Sequence, residues 1–148
     1  MNAPSRPRRP IYLTPGFFGP WLAYLAFAAG AFALTADERL FSFSGRGAPG
    51  KAAVWVVWIG FLLYSVVAST KANLFDTIRE MSGDWWGRQI GTDLYIGITM
   101  FAALIYFNEG SPLTLLIWLA PLIIYANLTT LLYLAIHYDQ IVDKLSGG

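Results

Sequence analysis

Four long apolar stretches run through this 148-residue chain, over 17–36, 52–70, 90–107 and 113–136, and Asp93 is the one charged residue inside them. Crossing the hydrocarbon core of a bilayer takes about 20 apolar residues at a helical rise of about 1.5 Å each. Each stretch is close to that length. The pattern therefore predicts an all-α integral membrane protein, a four-helix bundle with both termini on the same side. A short tail (1–16) precedes the four-span domain (17–136), and a second short tail (137–148) follows it.

Composition narrows the function classes. The chain is 56% hydrophobic and 13% charged, with a mean hydropathy of +0.51, where a soluble domain carries about 25% charged residues. It has no cysteine, which excludes disulfides, thiolate metal sites and cysteine nucleophiles. Its one histidine, His137, excludes a bis-histidine haem or a multi-histidine zinc site built from one copy. A net charge of +1 offers no electrostatic footprint for nucleic acid.

The first stretch has a competing reading as a secretory signal. Arg6, Arg8 and Arg9 precede it, and Ala31-Phe32-Ala33 has a small-x-small pattern. The run is long for a signal sequence, so a retained span is expected. Pro4, Pro7, Pro10 and Pro15 argue against a regular helix in the tail, because proline lacks the amide donor.

Small residues recur at helical spacing in two places. Ala23, Ala26, Gly30 and Ala33 lie three and four apart in the first stretch, as do Gly83, Gly87 and Gly91 before and within the third. Such stripes let helix backbones approach closely in lipid, either inside the chain or against another subunit. In the loop over 71–89, Leu74, Ile78 and Met81 follow spacings of four and three, which predicts a short amphipathic interfacial helix. Trp55, Trp58, Trp85 and Trp86 mark headgroup levels.

Basic residues set the expected orientation. With four spans, Arg6, Arg8, Arg9, Lys71, Arg79, Arg88 and Lys144 share one side, and Arg39, Arg46 and Lys51 the other. The richer side is cytoplasmic, which places both termini on the cytoplasmic side of the cell's inner (plasma) membrane.

Asp93 is the first candidate for function. A carboxylate in hydrocarbon is costly unless it is paired, protonated or turned to water. With the last stretch as one antiparallel span, Asp93 falls near the depth of Thr130, Tyr133 and His137, with Asn127 deeper. These residues would form a polar stripe, acting as interhelical hydrogen bonds or lining an ion or ligand path. The residues fix no cofactor; a bound lipid, quinone or pigment is the class such a cavity would take, with His137 as an axial ligand or, more plainly, an interfacial residue. No metal site and no catalytic motif is present. The acidic pair Glu80 and Asp84, four apart, lacks the aspartate-rich pattern of prenyl-diphosphate chemistry.

The second half resembles small, uncharacterised multi-span membrane proteins of bacteria and plants grouped as a domain of unknown function. The resemblance rests on Asp84-Trp85-Trp86, Thr92-Asp93-Leu94-Tyr95, Tyr106-Phe107-Asn108-Glu109-Gly110 and Ala126-Asn127-Leu128-Thr129. It covers about 83–138 and implies membrane helices without an activity. The expected function is a non-enzymatic accessory or scaffold subunit of a larger membrane complex, energy-transducing, respiratory or photosynthetic. The alternatives are a small homo-oligomeric transporter or channel using Asp93, and a lipid- or isoprenoid-modifying enzyme. The expected partners are the bilayer and other membrane subunits or further copies of the chain.

Overall fold

The computed structural model describes residues 15–35, 39–45 and 47–147. The tail residues Pro4, Arg6, Pro7, Arg8, Arg9 and Pro10, together with Arg46, lie outside them. Six helices form in chain order: α1 (Pro15–Thr35), α2 (Ala48–Lys71), α3 (Leu74–Ser82), α4 (Trp85–Glu109), α5 (Pro112–Tyr125) and α6 (Asn127–Ser146). The described residues contain no strand. Two helices, α2 and α4, are long and apolar enough to cross a membrane by length and composition.

Local chemistry sets the helix ends. Proline stands at the start of α1, α2 and α5, where its missing amide costs no hydrogen bond. Asn73 caps α3 by accepting from the Phe75 amide at 2.9 Å. Asp84 caps α4 by accepting from the Trp86 and Gly87 amides at 3.0 and 3.3 Å. Gly110, with φ +66, closes α4, supplying the left-handed residue that ends many helices. The short amphipathic helix expected in 71–89 is α3. α4 starts five residues before the expected 90, and this brings Gly87 into the helix with Gly91.

The fourth apolar stretch is not one helix. α5 ends at Tyr125, and α6 starts at Asn127 and runs back along it. Trp118 and Tyr133 have ring centroids 4.9 Å apart, whereas residues fifteen apart on a straight helix are separated by about 22 Å. The Thr129 hydroxyl donates to the Pro121 carbonyl at 3.1 Å across the same bend. Ala126 makes the reversal with φ 40 and ψ −113, a region that L-residues seldom occupy.

The hairpin changes the topology expected from sequence. α6 lies at the centre, packed against α1, α2, α4 and α5. Its C-terminal half meets the end of α1, the start of α2 and the end of α4. Its first turn meets Tyr24 and lies near the opposite end. The start of α1 and the end of α6 therefore lie at opposite ends of the body, not at the same end. The physical reason is the extra reversal at Ala126, which turns an even number of passes into an odd one.

The core is aromatic. Tyr24 donates to the Leu128 carbonyl at 3.2 Å, and Tyr125 donates to the Pro20 carbonyl. Trp118 stands edge-on to Phe27 and to Tyr133. These bonds tie the hairpin tip to α1 and leave few backbone groups at the bend without partners.

Candidate functional site

Polar side chains gather where α4 ends, α5 begins and the second half of α6 passes. Tyr133 is fully buried. Its hydroxyl donates to Glu109 Oε1 at 2.8 Å and accepts from Asn108 Nδ2 at 2.7 Å. One turn later His137 stacks on the Tyr133 ring, with centroids 4.3 Å apart. Its Nδ1 lies 3.2 Å from Gln140 Oε1 and 3.5 Å from Glu109 Oε1. Two acceptors at Nδ1 favour the tautomer with the proton there, which leaves Nε2 as a buried acceptor without a partner among the described residues. Lys144 donates to the Asn108 carbonyl, holding the end of α4 against α6.

A second cluster adjoins it. Lys51, in the first turn of α2, is 2% exposed and bonds Asp139 Oδ2 at 2.6 Å. The same ammonium donates to the carbonyls of Arg39 and Ser42, so it pins the segment after α1 onto the α2–α6 contact. The neighbouring pair Arg39–Asp143 is exposed, at 3.4 Å. Gly47 and Gly50 let α2 approach the Tyr138 ring; a Cβ on Gly50 would run into the Tyr138 hydroxyl. A small cavity of about 170 Å³ lies between Thr35, Leu40, Ile136 and His137.

The opposite end is open. α2 and α4 do not pack along one another there, and a cavity of about 1250 Å³ separates them, roofed by α3 and floored by the hairpin tip. Gly87 allows α4 to touch α3, because a Cβ there would meet the Met81 backbone. Gly91 faces the cavity with nothing within 4 Å.

Of the residues singled out from sequence, the structure brings together Tyr133 and His137. It separates them from Asp93. Tyr95 reaches the Ile123 carbonyl, so the start of α4 lies beside the hairpin tip, while Tyr133 meets Phe101 and Asn108. Asp93 and Asn108 are fifteen residues apart on one helix, about 22 Å. Asp93 is exposed and makes no hydrogen bond or ion pair among the described residues. It shares an outward stripe with Gly97, Met100 and Leu104, at spacings of four, seven and eleven. Asn127 is exposed at the tip and Thr130 half-buried; neither joins the Tyr133 cluster. Ala26 and Ala33 are exposed, and Gly30 has nothing within 4 Å. That stripe makes no close helix packing with the described residues; α1 packs with Trp21, Tyr24, Ala28 and Phe32 instead.

Sequence reasoning missed Lys51, Asn108, Glu109 and Asp139. Lys51 carried a signal, because a lysine in the first turn of a helix sits unfavourably with the helix dipole and calls for a carboxylate. Asn108 and Glu109 read only as turn residues. The cluster has the chemistry of a clamp: it contains no cysteine or serine nucleophile, and no group of three metal-ligating side chains occurs among the described residues. No family model, curated protein or solved structure matches the chain.

Proposed function

We propose that the chain is an integral membrane protein of the cell's inner membrane and a non-catalytic subunit of a larger membrane assembly. The outward side chains of α2 and α4 support the placement. Only 11% of each helix's apolar window is buried, and Val56, Leu63, Tyr64, Ile96 and Met100 are exposed. An apolar surface of that extent is unfavourable in water. α1, α2 and α4 would cross the bilayer. α5 spans about 21 Å, less than the roughly 30 Å core, so α5 and α6 would form a re-entrant hairpin.

This arrangement revises the orientation. Lys71, Arg79 and Arg88 lie on the side of α3 and Lys144 on that of Arg39 and Lys51; chain order alone would assign Arg6, Arg8 and Arg9 to the first side and Arg46 to the second, all four being outside the described residues. The bias falls from seven against three to six against four. It still favours the α3 side in the cytoplasm, with the C-terminus across the membrane.

The observation that carries the subunit reading is Asp93. It stands about 12 Å along α4 from Trp85, on a face that no described residue covers. A carboxylate there is tolerated when a neighbouring helix supplies a cation or a donor. Gly97, one turn on, keeps that face flat for close approach, and the uncovered stripe Ala26, Gly30 and Ala33 offers a second contact. Asp93 does not line the cavity between α2 and α4, so the channel alternative would need a path between copies of the chain rather than through one.

The test is extraction of native membranes in mild detergent, followed by native mass measurement of the wild type and of Asp93→Leu. The wild type should run with further chains, and Asp93→Leu should release them while keeping its helix content. A wild-type particle holding one chain and nothing else would refute the reading.

A further inference from the structure

We infer that the cavity between α2 and α4 is a binding site for an anionic glycerophospholipid taken from the surrounding bilayer. The inference rests on the membrane placement above but not on the subunit reading. Charge, the direction of its polarity and depth carry it.

The lining contains one formal charge, the guanidinium of Arg88, and no carboxylate. Arg88 lies over the Trp85 ring at 4.4 Å. Stacking uses the face of the guanidinium and leaves its N–H edge to donate to a phosphate. Asn73 lies at the same end. Its Oδ1 is occupied by the Phe75 amide, so the side of the amide left over is its N–H₂ donor pair. The cavity thus presents donors at the α3 end.

Deeper in, its walls have few donors left to offer. The hydroxyls of Ser69, Thr77, Ser82, Thr92 and Thr99 all donate to carbonyls one turn back on their own helices. Tyr95 and Tyr125 donate to the backbone of Ile123 and Pro20. Of the remaining lining residues below the α3 end, Trp21, Tyr64 and Ser65 carry polar groups and the rest are apolar, including Phe61, Ile96, Ile124 and Leu128.

Depth selects the ligand. From Arg88 to Thr99 is eleven residues of α4, about 16 Å. That is one leaflet of a roughly 30 Å hydrocarbon core. A phosphate at Arg88 and acyl chains reaching the hairpin tip match this span. The volume of about 1250 Å³ exceeds the roughly 300–1,000 Å³ of ordinary small-molecule sites. It suits a two-chain amphiphile.

Gly91 supplies the test. It lines the cavity, and a Cβ there meets none of the described residues within 4 Å, so the side chain of Gly91→Phe would start into open space and fill the site. The full chain is placed in mixed phosphatidylcholine–phosphatidylglycerol bilayers, extracted into mild detergent, and its retained lipid read by native mass spectrometry. The wild type should keep phosphatidylglycerol over phosphatidylcholine. Arg88→Gln should cut that preference about tenfold, the loss of one charge-assisted bond. Gly91→Phe should abolish retention.

Equal retention of the two lipids, retention unchanged in both variants, or a second copy of the chain cross-linked within the cleft would each overturn the proposal. If Gly91→Phe fails to keep its helix content, Arg88→Gln decides alone, and an unaltered preference overturns it. A chain that stays in solution without detergent sinks the membrane placement itself. A detergent-dependent chain that holds no phosphatidylglycerol sinks this inference alone.

Discussion

Removing either member of the Lys51–Asp139 pair should destabilise the protein, but by unequal amounts. The ammonium is 2% exposed and the carboxylate 37%. Asp139→Asn leaves a buried cation without its countercharge, facing only neutral acceptors: the new side-chain amide oxygen and the carbonyls of Arg39 and Ser42. Stranding a buried charge costs about 3–5 kcal/mol, and the two remaining carbonyls place this case near the lower end, about 3 kcal/mol. Lys51→Met removes the buried charge itself. The carboxylate it leaves behind already reaches water, and the methionine stem fills most of the vacated space. That change should cost about 1 kcal/mol.

For a chain of this length 1 kcal/mol moves Tm by about 2–4 °C. Asp139→Asn should therefore melt about 6–12 °C below the wild type, and Lys51→Met about 2–4 °C below. The double substitution should lie close to Lys51→Met, since no charge is then stranded. Tryptophan fluorescence during heating in detergent gives the readout, and six tryptophans supply the signal. If Lys51→Met proved as damaging as Asp139→Asn, burial of the lysine would not be what makes the pair matter.

Three further outcomes follow from the backbone. Gly87→Ala should weaken the α3–α4 joint by about 1–3 kcal/mol, because the new methyl meets the rigid Met81 backbone, whereas Gly91→Ala should be neutral or stabilise by up to about 1 kcal/mol from helix propensity; paired melts separate the two. Ala126→Gly should raise stability by about 1 kcal/mol by relieving the positive φ, and a loss instead would deny the sharp reversal. Cysteines introduced at Thr70 and Ser146, in a chain with none of its own, should react with impermeant reagents from opposite faces of sealed vesicles; labelling from one face would restore a continuous fourth span.

Much of the fold was legible because hydropathy is local. The first three apolar stretches correspond to α1, α2 and α4, and the amphipathic run of Leu74, Ile78 and Met81 to α3. The reversal at Ala126 was not legible. Two antiparallel helices of 14 and 20 residues show nearly the same unbroken hydropathy as one long span. A proline such as Pro121 can kink a helix, and Asn127 interrupts the apolar run, but neither encodes a turn of direction. That one miss displaced the site: it set Asp93 beside Tyr133 and His137, when the hairpin puts them at opposite ends of α4. The outward direction of Asp93 is different, because its spacing from Gly97, Met100 and Leu104 was open to reading from sequence alone.

The two ends of the molecule are built for different tasks, and the hairpin explains how one chain holds both. Irregular backbone at membrane depth is tolerated where protein covers it. The tip meets that condition: Leu122, Leu128 and Thr129 are buried, and the bonds from Thr129 to Pro121 and from Tyr24 to Leu128 satisfy carbonyls beside the bend. In the proposed membrane placement α5 would then stop short instead of crossing. Its early stop leaves α2 and α4 without a filler at the α3 end, which is why the large cavity is there. At the other end the returning α6 brings His137, Asp139 and Lys144 to Glu109, Lys51 and the Asn108 carbonyl. The clamp and the cleft are thus two consequences of one reversal. A change that straightened Ala126 would open the first and fill the second together.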